Sequence, residues 1–156
     1  MALVSLPIAL VCILGYFDVE VTTLGSGLGG LLQLCALFIA LAALYAYKVN
    51  SNFGLTVFGL VAAGVFFAGR YGGDLTINLS LGIIYLVCLV WSARIGNPKT
   101  LTIILLTTAL IFIFGGINVQ TGEEIWALLK GIAALANFVL TAYLAYALVD
   151  DKVPVF

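Results

Sequence analysis

Long apolar runs separated by short polar breaks fill almost the whole chain. Residues 31–47 carry no charge, and Lys48 closes that run. Clusters of charged and turn-forming residues cut the sequence into six such runs, with approximate edges at 2–17, 28–47, 53–68, 79–93, 101–117 and 125–149. A membrane barrel would alternate apolar and polar residues over strands of about ten residues. Continuous runs rich in Leu, Ala and Ile predict helices instead. A helix needs roughly 20 apolar residues to cross about 30 Å of hydrocarbon. The pattern therefore predicts an all-α integral membrane protein: one domain over residues 1–156, a bundle of six transmembrane helices joined by short loops.

Composition points the same way. The 156 residues are 64% hydrophobic and 8% charged. A soluble domain of this size leaves a large share of its surface in water, and this chain lacks the polar residues to cover it. Lipid is the expected solvent for most side chains, in a multi-pass protein of the cell membrane. The first run has no basic segment ahead of it and no small-residue cleavage site before Asp18, so it is expected to be a helix, bent or tilted near Pro7, and not a signal peptide.

Six spans place Lys48, Arg94, Lys99 and Lys152 on one side, with Arg70 and Lys130 on the other. The excess of positive charge predicts cytoplasmic N- and C-termini. The acids Asp18, Glu20, Asp74, Glu123 and Glu124 fall on the opposite, outer face.

Gly25-Ser26-Gly27-Leu28-Gly29-Gly30 fits a dinucleotide-binding spacing, but no strand–helix–strand unit surrounds it. Gly25 and Gly29 are expected to let two helices approach closely, or to narrow the wall of a pore. Asn50, Ser51 and Asn52 open the third run and offer an N-cap; free N–H groups there could also attract an anion. Gly54, Gly59 and Gly64 wind around that helix. Lys130 is expected either to reach for the interface or to draw anions toward a mouth.

Uncharged polar residues inside the runs are few, the main ones being Gln33, Asn78, Ser80, Thr102, Thr107, Thr108, Asn137 and Thr141. Each must find a partner or line a wet cavity. Asn137 and Thr141 share a face of the last helix, with Thr108 and Gln33 at similar depth, so a weakly polar lumen is one expectation. Hydroxyls bonded to their own helix carbonyls are the other.

The sequence contains no histidine, and no run contains an Asp or Glu. A proton relay, an acid–base pair and a buried-carboxylate cation site are all hard to build from what is left. Cys12, Cys35 and Cys88 fit no metal spacing and sit within apolar runs. No basic patch suits nucleic acid. Neither catalysis, nor a metal, nor a cofactor is expected.

At Asn52-Phe53-Gly54-Leu55-Thr56-Val57-Phe58 the chain resembles the acetate uptake transporter family, the YaaH-type succinate–acetate permeases. That family has a similar Asn-x-Phe-Gly-Leu-Thr-Ala-Phe stretch at the start of its third helix. Gly15-Tyr16-Phe17, Gly29-Gly30-Leu31-Leu32-Gln33, Ala142-Tyr143-Leu144-Ala145 and Val153-Pro154-Val155 are similar to further family segments in the same order. The family's opening Asn-Pro-x-Pro-Leu-Gly-Leu has no counterpart in the chain. A Tyr-Gly pair of its constriction is Val61-Ala62 here, and Asp150-Asp151 replaces an Asn-Glu.

The resemblance implies a homo-oligomer, a hexamer, of six-helix protomers, each passing acetate or a related small carboxylate. It makes Leu105 the counterpart of a constriction leucine. The expectation is a channel-like permease for a small monocarboxylate, with Leu105 in the gate and Asn52, Phe53 and Thr56 near the inner vestibule. Val61 stands at the constriction and Asn137 near mid-membrane. A urea- or amide-type channel and a non-transporting subunit of a larger membrane complex are the alternatives.

Overall fold

The computed structural model describes residues 2–18, 22–71, 74–150 and 153–154, with the backbone alone at residues 3 and 22–26. Glu20, Asp151, Lys152 and Val155, and the surroundings of Gly25 and Ser26, lie outside the described residues. Six helices follow in order: α1 (Ala2–Tyr16), α2 (Thr22–Lys48), α3 (Asn52–Tyr71), α4 (Leu75–Arg94), α5 (Lys99–Thr121) and α6 (Glu124–Ala147). Their starts and stops follow local chemistry. Ser51 Oγ accepts from the Gly54 N–H at 3.1 Å and caps α3. Asp74 caps α4 by accepting from the N–H groups of Thr76 (2.7 Å) and Ile77 (3.1 Å). Gly122, at φ 69°, ends α5 in the left-handed conformation that glycine adopts without strain.

Among the described residues each helix touches only its two neighbours in sequence, and α6 closes back onto α1. The result is a ring of six. Neighbours run antiparallel, as paired contacts at opposite ends show. Gly29 meets Gly69 while Gly54 meets Ala46 across α2 and α3. Gly116 meets Asn78 while Ser92 meets Thr102 across α4 and α5. We call the end where α2, α4 and α6 finish proximal, and the end where α1, α3 and α5 finish distal. Lys48, Arg94 and Lys99 cluster at the proximal end, whereas Asp18, Arg70, Asp74, Glu123 and Glu124 mark the distal end, sorted as the sequence predicts. Aromatic residues sit at both: Tyr45, Tyr47, Trp91 and Tyr146 proximally, Tyr16, Tyr71 and Trp126 distally, the two-belt pattern of a bilayer protein.

Five helices, all except α1, are long and apolar enough to cross a membrane. The expectation of six full spans is met in part. With 15 residues, α1 is about 22 Å long, short of the hydrocarbon thickness. Ser5 in its first turns bonds Asn137, midway along α6, and Cys12 and Ile13 lie against Gly131. Helix α1 therefore covers only the distal half of α6, and it runs through Pro7.

Large apolar side chains such as Leu37, Phe38, Leu41, Leu44, Ile83, Val87 and Val139 face outward, as lipid-facing residues do. The interior belongs to Val57, Val61, Val65, Tyr85, Leu105, Ala109 and Phe112, with Leu32, Cys35, Ala36 and Ile39 of α2. Glycine sets the tightest crossing. A Cβ on Gly69 would stand 2.7 Å from the Gly29 carbonyl oxygen, so the α2 and α3 backbones touch there.

Candidate functional site

The ring lines a half-open cavity of about 330 Å³ to which every helix contributes. Sites for small molecules begin near this size, roughly 300 Å³. Its wall is mainly apolar, with Ile8, Val61, Val65, Ile111 and Phe112 prominent. Five side chains add polarity: Ser5, Asn78, Thr108, Lys130 and Asn137. The lining residues of α2 (Leu28, Gly29, Leu32) come early in that helix, and those of α3 (Val61, Val65, Ala68, Gly69) come late. The cavity therefore occupies the distal half of the bundle and reaches to mid-depth. Toward the proximal end, core packing by Val57, Cys88 and Leu105 takes over.

At the mid-depth floor sits Asn137, 0% exposed, which ties three helices together. Its Oδ1 accepts from Ser5 Oγ of α1 at 2.7 Å. Its Nδ2 donates toward Thr107 Oγ1 (2.8 Å), Thr108 Oγ1 (2.9 Å) and the Ile104 carbonyl (3.1 Å) of α5. Both threonines use their own protons on that same carbonyl, at 3.0 and 2.7 Å, so their lone pairs are left to accept from the amide. Thr141 donates to the Asn137 carbonyl one turn on. Only an amide both accepts from Ser5 and donates to two spent hydroxyls. With two protons for three acceptors and two donors on Oδ1, Asn137 is fully occupied within the protein.

Asn78 differs. It is 9% exposed, lines the cavity, and its side-chain amide has no hydrogen-bond partner among the described residues. Lys130 is half-buried, also lines the cavity, and makes no ion pair among the described residues. It lies seven residues before Asn137, two turns along the same face of α6, or about 10 Å nearer the distal end.

Of the residues expected in the pathway, Val61 and Asn137 line the cavity. Leu105 is 1% exposed and packs in the core, one turn proximal of Thr108. Asn52 and Thr56 lie on the exposed side of α3, where the Thr56 hydroxyl donates to the Asn52 carbonyl at 2.9 Å. Phe53 stacks edge-on against Trp91, ring centres 5.0 Å apart. Asn52, Phe53 and Thr56 stand in the first turns of α3, at the proximal end, whereas the cavity takes only later residues of that helix, from Val61 on. The predicted grouping of Asn137 with Thr108 is present, and Gln33 is absent from the wall. Thr107 and Thr108 both bond a carbonyl of their own helix, and of the two only Thr108 also lines the cavity.

Ser5 was missed, although it is the one serine or threonine of the first apolar run and so a signal that could be found. Tyr85 was missed too. It is fully buried and stacked on Phe112 at 5.4 Å, and its hydroxyl has no partner among the described residues. No group of His, Cys, Asp or Glu among the described residues could hold a metal ion. No family model, curated protein or solved structure matches the chain.

Proposed function

We propose that this protein is a channel-like permease that lets a small monocarboxylate such as acetate cross the cell membrane, with its basic proximal end facing the cytoplasm. The observation that carries the reading is the cavity of about 330 Å³ inside a ring of apolar helices. One water molecule needs about 10–15 Å³ of such space, so the cavity has room for a small solute with its hydration. An ammonium, an unpaired amide and an apolar wall suit a molecule with one carboxylate and one methyl group. The contacts are sparse and weak, which favours passage over retention. Leu105, at the start of the packed proximal half, is the gate of this reading, and association into a homo-oligomer follows from the family resemblance.

The test uses purified protein alone in liposomes, with labelled acetate uptake compared to that of empty vesicles. Urea and formamide run alongside. Faster acetate entry supports the permease. Entry of the two neutral solutes without acetate would instead make this a neutral-solute channel, a reading favoured by the uncharged mid-depth groups Ser5, Thr108 and Asn137. No acceleration of any solute would leave a non-transporting subunit.

A further inference from the structure

Two consecutive glycines of α5 face the two unpaired groups of the cavity. A Cβ on Gly115 would lie 3.5–3.6 Å from the Cε, Cδ and Nζ of Lys130 in α6. A Cβ on Gly116 would lie 3.2 Å from the Cβ of Asn78 in α4. Lys130 and Asn78 therefore stand at one depth, on either side of a bare stretch of α5 backbone. Both reach the cavity, and neither has a hydrogen bond or an ion pair among the described residues. An ammonium in a half-buried setting raises the local concentration of anions, and an amide that faces the cavity without a partner among the described residues offers a directed N–H donor to a ligand there.

We propose that Lys130 and Asn78 form an anion-binding site that selects a carboxylate over its neutral amide, the ammonium supplying charge and the Asn78 NH₂ a directed hydrogen bond. This deepens the permease reading and rests on it for the solute, but the site itself has a readout independent of flux. Cys12 of α1 shares the cavity wall with Lys130, whereas Cys35 and Cys88 are buried in the core. The rates at which Cys12 reacts with an anionic and a cationic methanethiosulfonate of similar size, followed by peptide mass mapping, report the sign of the local potential. Any change in thiol reactivity acts on both reagents and cancels in the ratio.

The expected anionic-to-cationic rate ratio falls about tenfold in Lys130→Gln and stays near the wild-type value in Lys130→Arg. In liposomes the acetate-to-acetamide flux ratio falls about tenfold in Lys130→Gln, and by a smaller factor in Asn78→Leu, which keeps the charge and removes the donor. A labelling ratio unchanged in Lys130→Gln overturns the site whatever the flux. An altered labelling ratio with no flux of either solute in the wild type keeps the site and overturns the permease.

Discussion

Asn137 is the residue whose loss the bundle should feel most. Its side chain accepts one hydrogen bond from Ser5 and gives two protons to the cluster of Thr107, Thr108 and the Ile104 carbonyl. Interhelical hydrogen bonds in a bilayer average about 0.6 kcal/mol each, so three of them amount to roughly 2 kcal/mol. Asn137→Ala also leaves space at a position with no exposure, which adds to the loss. For a chain of this length 1 kcal/mol shifts Tm by roughly 2–4 °C, so a fall of about 4–8 °C is expected. Thermal unfolding read by a thiol-reactive fluorogenic maleimide suits the protein, because Cys35 and Cys88 are buried until it opens. Asn137→Asp should lose about as much, since a carboxylate accepts from Ser5 but has no proton for hydroxyls that have spent theirs. Ser5→Ala, which removes the bond to Asn137, should lose a quarter to a half as much. A Tm for Asn137→Ala within about 1 °C of wild type would refute the view that this amide clamps α1, α5 and α6.

Two further outcomes follow from the packing. Gly69→Ala pushes a methyl group into the Gly29 carbonyl oxygen, 2.7 Å away, and should cost about 1–3 kcal/mol in the same assay, whereas Gly59→Ala meets nothing within 4 Å and should be neutral or stabilise by up to about 1 kcal/mol. Leu105→Ala removes bulk from the packed layer proximal to the cavity and should raise acetate flux in liposomes while lowering Tm; unchanged flux would remove Leu105 from the gate.

The helices were legible because hydrocarbon leaves the backbone so few options. Each predicted edge falls within a few residues of the observed one except at α2, whose backbone begins at Thr22, ahead of the expected residue 28. Glycines at 25, 27, 29 and 30 hid that start, as they weaken a helical pattern without breaking it. Which face of each helix turns inward was far less legible. In a soluble protein the polar stripe marks the outside, but a helix in lipid is apolar all round. Leu105 and Val61 therefore looked alike on sequence, yet only Val61 reaches the cavity. The exceptions are polar residues that cannot face lipid, and Asn137 with Thr108 was found that way. Lys130 was ambiguous for a physical reason: its long stem permits either the interface or an interior wall, and the glycine at 115 that makes room for it lies on another helix. The depth of α1 was hidden because it is set by Ser5 reaching Asn137, a pairing of residues 132 positions apart.

Blocking the cavity and watching the solute is the most direct test of the account. Proteoliposomes are assayed for acetate flux before and after Cys12 is converted to a mixed disulfide by a bulky methanethiosulfonate, with Cys12→Ser as the unlabelled control. Flux should drop to the level of empty vesicles on labelling, return when dithiothreitol removes the adduct, and stay unaffected by reagent in Cys12→Ser. Full flux through protein whose Cys12 is quantitatively labelled would mean that solute takes another route, and the space lined by these helices would not be the path.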